Sequence, residues 1–148
     1  MAIAACLVDT NILLRAFHLS EPAHKIVDLA LNSLIQQRTA LCYTHQNMAE
    51  LWNTMTRPTN RNGFDMSSGD AQRQVAAIES GMTFLPDSDL VYREWRKLVG
   101  LYGIRGVQVH DARLAASMYV HRVSHILTFN GADFARFTGL TALHPTRM

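Results

Sequence analysis

Cysteine and long apolar runs are scarce in this chain, and each scarcity excludes a class of protein. Only Cys6 and Cys42 are cysteines, and neither lies in a CxxC pair or a His/Cys cluster, so we expect no zinc site and no structural disulfide. No apolar run approaches the roughly 20 residues that a membrane span requires. The N-terminal apolar segment has no basic region before it and contains Asp9, unlike a signal peptide. The sequence therefore predicts a cytoplasmic protein.

Lysine is also scarce, because Lys25 and Lys97 are the only lysines among 14 basic residues. The other 12 are arginines, whose planar fork suits bidentate contacts to phosphate. Genomic composition explains this richness equally well. The net charge is +2, but gathering four of the acids in one metal site would leave the rest of the molecule clearly positive. Such a balance would favour a polyanionic partner.

The remaining composition is that of a globular protein, with 48% hydrophobic and 18% charged residues among 148. This length predicts one domain over residues 1–148. Short apolar runs alternate with segments of helical periodicity, which predicts an α/β fold with a parallel sheet. The predicted strands are 2–8, 39–43, 82–85, 124–129 and, as a short fifth strand, 140–143. A short helix is predicted directly after Asp9. Further helices are predicted over 21–37, 44–55, 68–81, 88–102 and 112–122.

Four acids follow strand ends or lie on the helices beside them. Asp9 ends the first strand, Asp111 lies in the first turn of a helix, and Asp133 follows the fourth strand. Glu50 lies beside the apolar stripe of the third helix. The carboxyl ends of parallel strands meet at one edge of a sheet, where ligands gather. Converging carboxylates repel one another unless a cation holds them together, and such hard oxygen ligands select Mg²⁺ or Mn²⁺ over zinc.

The three aspartates among these acids also have a simpler interpretation as part of a helix start. Asp9 taken alone could be only the N-cap of the helix that follows it. Asp111 in a first helical turn would be stabilised by the backbone N–H groups and the helix dipole. The argument for a site therefore depends on several acids being predicted at the same edge.

Four motifs, in this order and at these spacings, resemble those of the PIN-domain ribonucleases, and among them most closely the VapC toxins of bacterial toxin–antitoxin pairs. The resemblance spans essentially the whole chain. The motifs are Val8-Asp9-Thr10-Asn11-Ile12-Leu13, Met48-Ala49-Glu50-Leu51-Trp52, His110-Asp111-Ala112-Arg113-Leu114-Ala115-Ala116 and Ile126-Leu127-Thr128-Phe129-Asn130-Gly131-Ala132-Asp133-Phe134.

The resemblance implies a three-layer α/β/α fold with a central parallel sheet of four to five strands. It also implies an Mg²⁺-dependent endoribonuclease, in which Mn²⁺ could substitute and a metal-activated water attacks the phosphodiester. A homodimer and inhibition by a small VapB-like antitoxin are further implications.

Carried over residue by residue, Asp9, Glu50 and Asp111 match the family's invariant acids, and Asp133 is the best candidate for a fourth. These four are the expected catalytic residues, with Asp9, Asp111 and Asp133 on the metal. Some relatives carry an acid where this chain has Asn130, so either Asn130 or Asp133 completes the site, and Asp133 could instead merely cap a short helix. The supporting polar residues are Thr10, Asn11, Thr128 and Asn130.

Several residues near these motifs have both a functional and a structural interpretation. Arg57 and Arg61 lie in a predicted loop and could contact RNA phosphates, as could Arg113, although Arg113 could simply pair with a carboxylate. His110 could sit in the site or only start its helix. Trp52 and Trp95 fall on apolar stripes and are therefore predicted to be core residues rather than stacking platforms for bases. Specificity for a particular RNA would come from loops and surface shape.

Two other functions remain as alternatives. A haloacid-dehalogenase-like phosphatase also begins with a strand and an aspartate, but its chemistry needs a second acid two residues later, where this chain has Asn11. A degenerate PIN domain would bind RNA or a partner without cutting it. The presence of all four acids argues against that second alternative.

Overall fold

The structure, a computed structural model, describes residues 2–148 and contains a five-stranded parallel sheet with helices on both faces. This is the predicted three-layer α/β/α fold. The strands are β1 (Ala5–Val8), β2 (Ala40–Thr44), β3 (Thr83–Leu85), β4 (His125–Leu127) and β5 (Thr141–Leu143). The helices are α1 (Thr10–Phe17), α2 (His24–Gln36), α3 (His45–Thr56), α4 (Ser68–Gly81), α5 (Asp89–Leu101) and α6 (Gln108–His121).

The first strand is the centre of the sheet, whose order is β3-β2-β1-β4-β5. Cys6, Leu7 and Val8 have no exposed surface because helices cover both faces at this position. Cys6 and Val8 pack into one hydrophobic core and Leu7 into the other. Burial on both faces explains why β1 is apolar without alternation.

The two cores divide the helices between the faces of the sheet. On one face, buried residues of α1, α2, α3 and α4 pack together, with Ile12, Leu34 and Leu51 almost fully buried. On the other face, α5 and α6 pack together with Phe134 and Phe137. Because all five strands are parallel, their carboxyl ends lie at one edge, from which α1 and α3 begin.

Some predicted boundaries were wrong. The second helix begins at His24 rather than at Glu21-Pro22, because the Glu21 N–H donates to the His18 carbonyl and the His24 N–H donates to the Glu21 carbonyl, which forms separate turns. Either Ser68 or Asp70 was expected as the cap of α4, but the cap is Ser67, whose hydroxyl accepts a hydrogen bond from the Asp70 N–H. β4 ends at Leu127, two residues early. Within residues 2–148, no helix combines the length and apolar character needed to cross a membrane.

Candidate active site

Asp9 lies directly after the central strand and is bound on both carboxylate oxygens. Its Oδ1 accepts a hydrogen bond from the Thr10 N–H at 2.8 Å, so Asp9 does cap α1, as its simpler interpretation predicted. Its Oδ2 accepts from the Thr128 hydroxyl at 2.7 Å and from the Asn11 amide at 3.4 Å. Capping therefore uses one oxygen, while residues from two elements orient the other toward the sheet edge.

Glu50 is linked to Asp9 through the residue that follows Asp9. The Thr10 hydroxyl donates to Glu50 Oε1 at 3.2 Å and accepts from the Asn47 amide at 3.1 Å. Asn47 is completely buried, and its Oδ1 accepts from the Thr44 N–H and hydroxyl, each at 2.9 Å. This capping box at the start of α3 fixes the helix that carries Glu50.

Asn47 was not predicted as a site residue, although the sequence carries a signal for it. Thr44 and Asn47 have the spacing of a capping box, three residues apart at a helix start. The pattern would have predicted the bond between Thr44 and Asn47. It would not have predicted the bond from Asn47 to Thr10, which depends on how α1 and α3 pack.

Gln46 connects α3 to the helix that carries the third acid. Its Nε2 donates to the His110 carbonyl at 3.0 Å, one residue before Asp111. The side chain is buried, at 8% exposed, and its Oε1 has no hydrogen-bond partner. Sequence reasoning missed Gln46 as well, because nothing in the local pattern distinguishes it from any polar residue in a first helical turn.

The four acids affect one another electrostatically. Burial and, after it, the charges of Asp133, Asp9 and Glu50 raise the pKa of Asp111 to about 6, and nearby His110 opposes this rise. Burial also raises the pKa of Asp9, opposed by its bonds from Thr128 and Thr10, with Asp133 adding to the rise. The four carboxylates therefore share one region at the sheet edge.

Glu50 belongs to the same electrostatic group. Desolvation raises the pKa of its carboxyl, and the charge of Asp9 adds to that rise. Hydrogen bonding to Thr10 and Gln46 and the nearby His110 act in the opposite direction. The hydrogen-bond partners favour the ionised form, so they help hold a charge where other charges disfavour it.

Asn130 and Asp133 occupy different positions in the segment after β4 and make different contacts there. Asn130 is at the cap position of the short 3₁₀ turn Gly131–Phe134 and makes no side-chain capping bond. Asn130 is exposed, and its N–H donates to the Thr128 hydroxyl at 3.0 Å. Asp133 lies inside the turn, so it is not the cap, and its charge acts on both Asp9 and Asp111.

The donor set has the chemistry of a site for a hard divalent cation. It offers carboxylate oxygens that repel one another, the partnerless Gln46 Oε1, and no thiolate, which suits Mg²⁺ or Mn²⁺. Among residues 2–148, no group of three or more His, Cys, Asp or Glu side chains stands in an arrangement that could hold a metal ion. The site therefore fits a hard divalent cation in the type of its donor atoms and in its negative charge.

The arginines predicted as RNA contacts lie in different surroundings. Arg113 Nη2 binds Asp87 Oδ2 at 2.9 Å, the pairing with a carboxylate that was its simpler interpretation. Arg57 follows the last residue of α3, and its guanidinium donates to the Asn62 carbonyl within the loop. A 12-residue helix spans about 18 Å, so Arg57 and Arg61 lie at the end of α3 remote from Thr44.

The two tryptophans are only partly core residues. Trp52 is half-buried and packs against the core formed by α1–α4. Trp95 is half-buried against the other core and also lines a surface cavity next to His110. The prediction that Trp95 is a core residue was therefore incomplete, because Trp95 also lines the cavity.

Comparison with known proteins gives the family. The model of the PIN domain matches residues 6–140. No curated protein sequence is significantly similar to the chain. The Rickettsia felis VapBC2 structure bound to a promoter DNA fragment has 16% identity and a TM-score of 0.69, with 95% of this chain and 98% of that chain covered.

Two further solved structures show the same fold. A toxin–antitoxin complex from Klebsiella pneumoniae has 20% identity and a TM-score of 0.67, with 97% of this chain and 99% of that chain covered. The sarcin–ricin-loop-cleaving toxin VapC20 from Mycobacterium tuberculosis has 16% identity and a TM-score of 0.64, with 92% and 98% covered. The family model covers most of the sequence, and the chain therefore belongs to the PIN-domain family.

Proposed function

We propose that this PIN domain is an Mg²⁺-dependent endoribonuclease and the toxin of a VapBC-type toxin–antitoxin pair. The observation that carries the proposal is the convergence of Asp9, Glu50, Asp111 and Asp133 at one edge of the sheet, where burial and, after it, the charges of the other three acids raise the pKa of Asp111 to about 6. Such convergence costs stability and is explained if these acids hold a cation. Membership in the PIN family excludes the haloacid-dehalogenase-like alternative.

In this proposal, Asp9, Asp111 and Asp133 hold the ion, which when bound supplies polarisation of the phosphate and a lowered pKa for a water molecule. The residues of the chain fix the ligands. Thr128 and Asn11 orient Asp9 Oδ2. The bond from Thr10 opposes the rise that burial causes in the pKa of Glu50. It thus favours the ionised form, in which Glu50 can accept a proton from water in the site.

The test uses purified protein and total cellular RNA with Mg²⁺ present. Wild type should release discrete fragments, whose mapped ends identify the RNA. Asp9→Asn should reduce cleavage by about 100-fold or more, because it removes a charge from the ion's ligands. Asp28→Asn, on the exposed surface of α2, is the matched control and should cleave normally. Near-normal cleavage by folded Asp9→Asn would show that Asp9 does not hold a catalytic ion. Binding of RNA by the wild type without any cleavage would instead favour the alternative of a PIN domain that binds RNA without cutting it.

The partner in this proposal is a small VapB-like antitoxin, and the toxin itself is a homodimer. Support comes from the solved structures that share the fold, several of which are toxin–antitoxin complexes. Expression of the chain alone should arrest growth, and co-expression of a small open reading frame beside the gene should relieve the arrest. Sedimentation of the purified chain gives the oligomeric state.

A further inference from the structure

A cavity of about 420 Å³ lies between α5 and the first turns of α6, next to the carboxylate site. From α5 it is lined by Val91, Tyr92 and Trp95, which are spaced so that they face the same side of the helix. From α6 it is lined by His110 and other residues, and His110 precedes Asp111 in the chain. His110 therefore borders the cavity and lies close enough to Asp111 and Glu50 to act on both electrostatically.

One hydrogen bond holds Trp95 in the aromatic wall of this cavity. The Trp95 Nε1–H donates to the Val109 carbonyl at 2.9 Å, so the polar edge of the indole is already satisfied by the protein. What remains for a ligand is the apolar ring surface. Tyr92 is 62% exposed, and its ring centroid lies 6.0 Å from that of Trp95. Aromatic surfaces of this kind bind nucleic-acid bases by stacking, with little dependence on sequence.

The rim of the cavity is polar and carries both signs of charge. Arg113 Nη2 binds Asp87 Oδ2 at 2.9 Å, and His45 Nδ1 lies 3.7 Å from the same oxygen. The hydroxyl of Ser88 caps α5 at the same rim. Guanidinium, carboxylate and hydroxyl groups around an aromatic wall provide donors and acceptors for the edge of a base.

We propose that this cavity is a base-binding subsite, in which Tyr92 and Trp95 stack on a nucleobase of the RNA near the scissile phosphate. The inference rests on the proposed function, because it takes RNA to be the substrate. A second copy of the chain is a less suitable occupant, since the polar rim matches a nucleotide better than an apolar subunit face.

The test uses the fluorescence of Trp95 in a Trp52→Phe background, which leaves one tryptophan in the chain. The probes are the four nucleoside 5′-monophosphates, with ribose 5-phosphate as the probe that lacks a base. At least one nucleotide should change the Trp95 emission saturably, and ribose 5-phosphate should not. Tyr92→Ala should weaken that binding by about 5- to 100-fold, since stacking on one aromatic ring contributes this much.

The matched control is Leu101→Ala, which removes another exposed apolar side chain, 69% exposed, from the same helix. It should bind nucleotides like the parent. Equal responses to ribose 5-phosphate and to nucleotides would overturn the proposal in favour of a phosphate site. Absence of any response to nucleotides would also overturn it. If Tyr92→Ala in addition converted a dimer to a monomer in sedimentation, the cavity would belong to a contact between copies.

Base binding and RNA cleavage can fail separately in these experiments. The fluorescence titration needs no turnover, so saturable binding at Trp95 in a chain that does not cut RNA would retain the subsite and contradict the nuclease. Cleavage of RNA by a chain whose Trp95 does not respond to nucleotides would retain the nuclease and contradict the subsite.

Discussion

The hydroxyl of Thr128 donates a 2.7 Å hydrogen bond to the carboxylate of Asp9, although 119 residues separate them in the sequence. Thr128 is completely buried and follows β4, which pairs with β1 directly before Asp9. The parallel pairing of these two strands therefore brings the bond into place. It joins the first and the last motif of the family resemblance.

Thr128→Val tests this bond while keeping the shape of the side chain. A buried carboxylate that loses a hydrogen bond is destabilised, so we expect unfolding to be easier by about 1–2 kcal/mol. The pKa of Asp9 should also rise further, because the Thr128 bond is what lowers it most. Urea denaturation measures the stability. Thr83→Val, on an exposed strand position, is the control, and equal effects of the two substitutions would contradict the role of Thr128.

Gln46→Leu tests the connection between α3 and the start of α6. The substitution removes the donor to the His110 carbonyl but also removes a buried oxygen that has no partner. These effects oppose each other, so the free energy of unfolding should change by no more than about 1 kcal/mol. RNA cleavage should fall by about 10-fold or more because Asp111 is no longer held in place. Unchanged cleavage with unchanged stability would show that Gln46 does not position Asp111.

The raised pKa of Asp111 predicts how stability depends on pH. Between its usual pKa of 3.8 and about 6, the folded chain keeps a proton that the unfolded chain has lost. The free energy of unfolding therefore falls as pH rises through this window and stays lower above it. The Asp111→Asn side chain has no carboxyl group that ionises as pH rises. Without metal, this variant should therefore melt a few degrees higher than wild type at about pH 7.5 and show a smaller advantage at about pH 5.

Thermal melting at the two pH values, with EDTA present, measures this difference. The control is Asp28→Asn, which removes an exposed acid from α2 and should show no comparable change. An advantage of Asp111→Asn that is the same at both pH values would contradict the assignment of the shift to Asp111.

The alternatives for the fourth acid predict different mutants. Asp133 is not the cap of the 3₁₀ turn, so Asp133→Ser should leave the melting temperature nearly unchanged. If Asp133 serves the metal, this variant should lose most of its RNA cleavage and need more Mg²⁺ for what remains. Asn130→Ala should stay active, because Asn130 contributes its backbone N–H to Thr128. Loss of activity in Asn130→Ala with normal Asp133→Ser would reverse the assignment.

Much of the fold could be predicted from the sequence because the apolar runs are short and the helices between them are periodic. The burial of β1 on both faces is visible in Cys6, Leu7 and Val8 without a polar alternation. Boundaries were harder to predict where local hydrogen bonds compete with helix formation. Pro22, for example, suits a first helical turn but lies in a separate turn before α2.

The convergence of the four acids could be predicted from the sequence, but the residues that contact them could not. Three of the acids follow strand ends or lie at helix starts and Glu50 lies on a helix beside them, which a pattern shows. Asn47 and Gln46 act through contacts between α3 and the elements that carry Thr10 and His110, and such contacts depend on helix packing. The cavity beside Trp95 escaped prediction for the same reason, since its walls come from two helices.

RNA cleavage by the purified wild-type protein after its metal has been removed decides whether the four carboxylates hold a catalytic cation. Incubation with EDTA should abolish cleavage, and addition of excess Mg²⁺ or Mn²⁺ should restore it, because the site offers carboxylate oxygens and no thiolate. Zinc should restore it poorly. Cleavage that continues at the full rate in metal-free protein would contradict the assignment of these four carboxylates to a metal site.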